Sequence, residues 1–188
     1  MSHRKIVDGS LYFVFMFLVG CAGMTPTMEQ PSLGVDRIAC VGEVEHPPKG
    51  LVEIKDTILV QKALGASGQG KLCVGNAFVT TEPVPVYRVW NKEKSYTLYG
   101  SWWSFELPKG PKQKYREENG ICPSWSPLDR MSSCTIKVGT NVVVGPGQSA
   151  VCEQVTYPKS AVNQVFIPND SRNNMLLVEN CSAGADWP

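Results

Sequence analysis

Seven cysteines are spread along the 188 residues, and the first of them closes an apolar run near the amino terminus. Behind Arg4 and Lys5, the nine residues Leu11 to Val19 (LYFVFMFLV) are all apolar and lead into Leu18-Val19-Gly20-Cys21. The run has the length of a signal-peptide core and falls well short of the roughly 20 residues that a spanning helix needs. Gly20 supplies the small residue before a cut, so Cys21 is expected to become the first mature residue and the site of lipidation by palmitate-type acyl chains. Residues 1–20 are thus read as a lipoprotein signal peptide. Ala22, where inner-membrane retention would call for Asp, directs the expectation to the outer membrane, with the domain periplasmic or surface-exposed.

That assignment leaves Cys40, Cys73, Cys122, Cys134, Cys152 and Cys181. An even number in an exported chain predicts disulfides, and six cysteines allow fifteen pairings among which sequence does not choose. No two of them have the close CxxC spacing of zinc or redox sites, and His46 is the one histidine after the leader, so no metal site is predicted. The same scarcity of histidine argues against Ser-His-Asp or Cys-His hydrolysis. Once Arg4, Lys5 and Asp8 leave with the leader, basic and acidic residues balance, which argues against nucleic acid as a partner.

Residues 21–39 carry little periodicity and two prolines, the composition of a tether, and residues 40–188 are expected to form one globular, disulfide-bonded domain. Lys55 to Leu64 suits a short helix stopped by Gly65, followed by the loop GASGQG. Beyond it come short β-branched or aromatic stretches separated by Gly, Pro and Asn: KLCVGNAFVT, PVYRVW, SYTLYGSWWSFEL, CTIKVGTNVVVG, AVCEQVTY, NQVFI and MLLVENC. A charged, helix-compatible segment, Pro108 to Asn119, interrupts them. The expected class is α+β, a β-rich single domain.

Four of these stretches carry candidate chemistry. Arg88 in VYRVW is either an exposed position on an alternating strand or a contact for an anion, since arginine forms paired hydrogen bonds to phosphate. Trp102 and Trp103 must point to opposite faces of a strand, so one can pack inward while the other lines a groove. GTNVVVG and NQVFIP complete the set. In this order, Tyr87-Arg88, Trp103-Ser104, Gly139-Thr140 to Gly145, and Gln164 resemble the motifs of the ADP-ribosyltransferase superfamily, and in particular its NAD-glycohydrolase-like branch.

The resemblance spans about residues 84–168 and implies a split antiparallel sheet that binds, and in active members cleaves, NAD. It implies that Arg88 holds the phosphates or ribose, that Ser104 positions the nicotinamide half, and that Gln164 aligns the ribose as nicotinamide leaves. Tyr87, Trp102 and Trp103 would contribute binding surface. NAD is here a substrate; no resident cofactor is implied. Arginine-modifying members carry Glu two residues before the last motif residue, where this chain has Val162, so hydrolysis, binding alone or an unusual acceptor are the readings that follow.

Two further stretches have both a structural and a functional reading. Pro123 to Asp129, bracketed by Cys122 and Cys134, would form a constrained loop presenting Trp125 and Asp129 if those two cysteines paired. Gly145-Pro146-Gly147-Gln148-Ser149 lacks the Lys-Ser/Thr ending of a phosphate-binding loop and is read as a turn. The functional alternatives to an NAD-binding domain are a non-enzymatic lipoprotein holding a protein or polysaccharide through its tryptophans, and an envelope immunity or inhibitor protein.

Overall fold

The β-branched stretches pair into antiparallel sheets. In the computed structural model, which describes residues 30–188, the elements run in chain order as β1 (Leu51–Ile54), α1 (Thr57–Ala63), β2 (Asn76–Thr80), β3 (Val84–Trp90), β4 (Trp102–Trp103), α2 (Lys112–Asn119), β5 (Arg130–Ile136), β6 (Asn141–Gly147), β7 (Ala150–Val151), β8 (Thr156–Tyr157), β9 (Ser160–Phe166), β10 (Val178–Glu179) and β11 (Ala185–Asp186). The predicted β-rich class with few helices holds. Cys21 and the expected signal peptide lie outside the described residues.

One sheet has the order β1-β2-β6-β9-β4. In the other, β3 lines one edge of β5 while β10 and β11 pair with successive stretches of the opposite edge. The sheets meet where Tyr87 of β3 and Ser104, just past β4, exchange backbone hydrogen bonds of 2.8 and 2.9 Å. β7 and β8 form a separate hairpin.

Between the sheets lies the main core, with Val84 and Val86 of β3, Cys134 and Ile136 of β5, Val142 and Val144 of β6, and Val165 of β9. The period-2 spacing of these residues is that of strands with one face toward a partner layer. β6 departs from alternation because its other face is covered too: Val143 packs under Leu59 and Ala63 of α1. α1 itself begins where the Asp56 side chain accepts a 3.0 Å hydrogen bond from the Leu59 N–H, an N-cap. It lies within the expected Lys55 to Leu64, and α2 within the expected Pro108 to Asn119.

The six cysteines form Cys40–Cys73, Cys122–Cys152 and Cys134–Cys181. No Cys122–Cys134 bridge closes the Trp125 loop, because β5 carries Cys134 into the inter-sheet core and toward Cys181, while Cys122 faces the β7–β8 hairpin. Three other expectations shift. In SYTLYGSWWSFEL only Trp102–Trp103 is strand, and Ser95–Tyr99 is a 3₁₀ turn. The Thr97 hydroxyl donates to the Asn91 and Lys94 carbonyls there, a local bond that competes with sheet pairing. Gly145 to Gly147 is the buried end of β6, irregular in register at Pro146/Gly147, instead of a turn. β1 and β11 are strands that no alternating pattern announced.

The later part of the predicted tether is fastened to the domain. Asp36 accepts from Lys159 Nζ, Gln148 Nε2 and the Ile38 N–H. Burial pushes the Asp36 carboxyl up, but these hydrogen bonds and the Lys159 charge outweigh it and hold it below its ordinary value. A carboxyl depressed on folding adds stability above its unfolded pKa and loses it as pH falls through the lower, folded value. Asp36→Asn is therefore expected to be less stable than the wild type near neutral pH, with the gap closing in strong acid. Denaturation midpoints across that range check it; a constant gap would refute the ionic account.

Candidate functional site

Along β3 the even-numbered residues face inward, and Arg88 continues the row of Val84 and Val86. The exposed-strand reading of Arg88 is therefore overturned. At this point the inter-sheet core ends, and the guanidinium emerges into a cleft of about 410 Å³. Nε donates to the Thr97 carbonyl at 2.8 Å and Nη1 to the Trp102 carbonyl, while the carbon of the guanidinium stands 5.9 Å from the centre of the Trp103 ring. Gly100 lies against the guanidinium with no room for a Cβ, so the glycine is what lets Arg88 occupy this place.

Burial lowers the Arg88 guanidinium to about 10, which leaves it charged at neutral pH. Among the described residues no carboxylate pairs with it. A desolvated cation without a counter-ion is costly unless something anionic arrives, so the cleft has a built-in preference for anions.

The walls strengthen that preference. Trp90, Trp102, Trp103 and Trp125, four of the five tryptophans, line the cleft together with Lys71 and Lys94, and no Asp or Glu is among the described lining residues. Trp103 is buried, with its indole N–H donating to the Gly100 carbonyl at 2.8 Å. Trp102 turns to the opposite face and tilts against Phe166 at 5.1 Å, as two adjacent strand residues must.

Gln164 on β9 reaches the same cleft from the other sheet. It is buried, and its amide donates to the Asn119 carbonyl at the end of α2, at 3.3 Å. Ser104 is placed elsewhere. Its hydroxyl accepts from the Glu106 N–H at 3.0 Å and lines a neighbouring cavity of about 420 Å³, separated from the cleft by Tyr115 and Asn119, which border both. Tyr87 alternates away from Arg88 and does not line the cleft. The structure thus brings Arg88, Trp102, Trp103 and Gln164 together and leaves Ser104 and Tyr87 outside.

Sequence reasoning missed Tyr115, on α2, and with it Lys71, Trp90, Lys94 and Tyr96 of the cleft lining. A tyrosine in a lysine- and glutamate-rich helix carries no local mark of an inward face. The loop after α2, carrying Trp125, is held by Arg116, which is buried and donates to the Ile121, Cys122 and Ser126 carbonyls. Arg116 thereby holds the loop that a Cys122–Cys134 bridge would have constrained. Among the described residues no cluster of His, Cys, Asp and Glu is arranged to hold a metal. No protein-family model, no curated protein and no solved structure matches this chain.

Proposed function

We propose that this chain is the exported, lipid-anchored domain of a bacterial envelope protein whose cleft binds a small anion bearing an aromatic ring, with NAD as the ligand to which the order of its motifs points. The observation that carries the reading is Arg88, charged and, among the described residues, without a carboxylate partner, lining a cleft walled by four tryptophans. Such a site matches a nucleotide in two respects: the cation meets phosphate and the indoles offer stacking surface.

Cleavage of NAD would extend the same reading. The described residues of the cleft lining include neither carboxylate nor histidine, so none of them is a ready general base. What the site would offer is a dry, polar support from the Gln164 amide as positive charge develops on the ribose and the already cationic nicotinamide departs. A second reading rests on Tyr96 and Trp125, which line the cleft yet remain 60% and 56% exposed. Aromatics displayed in this way suit an envelope polysaccharide or protein partner.

Titration of the detergent-solubilised full chain with NAD, with nicotinamide release followed in parallel, separates these readings. Saturable binding is expected, weakened about tenfold or more in Arg88→Ala and in Gln164→Ala, the size of a lost hydrogen bond to or beside a charged group. Absence of both binding and release would remove the NAD reading and leave the partner-binding one.

A further inference from the structure

Tyr115 sits at the partition between the cleft and its neighbouring cavity. Its ring is pinned: it meets Trp187 edge-on at 5.0 Å and packs on the buried cluster of Val89, Leu128 and Trp187. Its hydroxyl makes no hydrogen bond among the described residues, yet no buried polar side-chain atom there lacks a partner, so the hydroxyl opens onto a cavity. The two cavities differ in their relation to Arg88, which lines only the one it shares with Trp103 and Gln164. Tyr115 shares that cleft with Arg88.

Arg88 has a donor to match. Nε and Nη1 are engaged with the Thr97 and Trp102 carbonyls, and among the described residues Nη2 has no acceptor. A phenolic donor and a charged guanidinium donor thus share one cleft without an acceptor between them. Two such donors, in a cleft with no carboxylate among its described lining residues, suit an oxyanion, which can accept from both at once.

We propose that Tyr115 and Arg88 form an oxyanion seat, in which the Tyr115 hydroxyl and the free amino group of Arg88 together hold a phosphate or carboxylate oxygen of the ligand. The proposal rests on the reading of the cleft as an anion-binding site and adds a residue and a geometry that the motif resemblance does not contain. Burial raises the Tyr115 phenol to about 12, with Arg88 pulling it back only in part, so the group stays a protonated donor at neutral pH. The ring's fixed packing supplies the preorganisation that makes one such donor worth having.

Two matched pairs of probes test the seat on the full chain in detergent: AMP against adenosine for phosphate, and nicotinate against nicotinamide for carboxylate. The wild type is expected to prefer the anionic member of at least one pair by about tenfold or more, and the pair that shows the preference identifies the oxyanion. Tyr115→Phe keeps the ring on Trp187 and removes only the hydroxyl. It should reduce that preference about tenfold, through the anionic ligand alone, as expected for one hydrogen bond to a charged group. A Tyr115→Phe variant that binds the anions as tightly as the wild type would overturn the seat while leaving the cleft reading intact. A wild type that binds the neutral probes but shows no anionic preference would overturn the seat without any variant, and a wild type that binds none of the four would overturn both.

Discussion

Gly145→Ala is expected to cost at least about 3 kcal/mol of stability, the upper end of what overpacking a rigid interior does. Gly145 lies in the buried half of β6, where a Cβ would collide with the Val74 carbonyl oxygen and come within 3.0 Å of the Gly75 Cα. Both obstacles are backbone, so no side chain can swing aside to make room. The Cys73 N–H donates to the Pro146 carbonyl at 2.9 Å, and Cys73 is itself bridged to Cys40, so the opposing segment is fixed from two directions. Gly145 also pairs with Gln164 across the β6–β9 ladder, which connects the substitution to the cleft. Chemical denaturation checks the stability loss. A midpoint equal to the wild type would mean that the segment around Val74 yields freely.

Replacing Cys134 and Cys181 together by alanine should be comparably severe. The bridge closes 47 residues, for which the chain-entropy account gives about 4 kcal/mol. Cys134 stands in the inter-sheet core, on the strand that pairs with β3 on one side and β10 and β11 on the other. Freeing Cys181 therefore releases the segment that covers one edge of β5. Because β3 carries Arg88, ligand binding is expected to weaken along with stability. A loss below about 1 kcal/mol would show that packing alone holds the edge and that the entropy account fails here.

Legibility differed from element to element. The two helices were readable because their signals are local: Gly65 beyond the end of α1, and the charged, helix-compatible run from Pro108 to Asn119 that holds α2. The tryptophan pair was readable because strand geometry sends neighbours to opposite faces whatever surrounds them. The 3₁₀ turn at Ser95–Tyr99 was not, since its aromatic, β-prone sequence is overruled by the Thr97 hydroxyl bonds and by Arg88 reaching its carbonyl. The buried strand at Gly145 to Gly147 was misread for the reverse reason. Glycine and proline usually mark turns, and here the glycine answers to the close approach of another chain segment.

By itself, the sequence determined that the chain is β-rich, that its six later cysteines belong in bridges, and which residues share a strand face, because composition and the period of 2 are properties of adjacent positions. The tertiary structure alone decided which face points inward, which cysteines meet, and which side chains share a cavity. Arg88 turned out to extend the core row of Val84 and Val86, and Tyr115 came to line the same cleft from a helix whose sequence gave no sign of it. Ser104, a neighbour of Trp103 in sequence, was separated from the cleft by that same tyrosine. The reason is physical: alternation along a strand defines two faces without ranking them, and only the burial of one face against the other sheet, over sequence separations of tens of residues, breaks the tie.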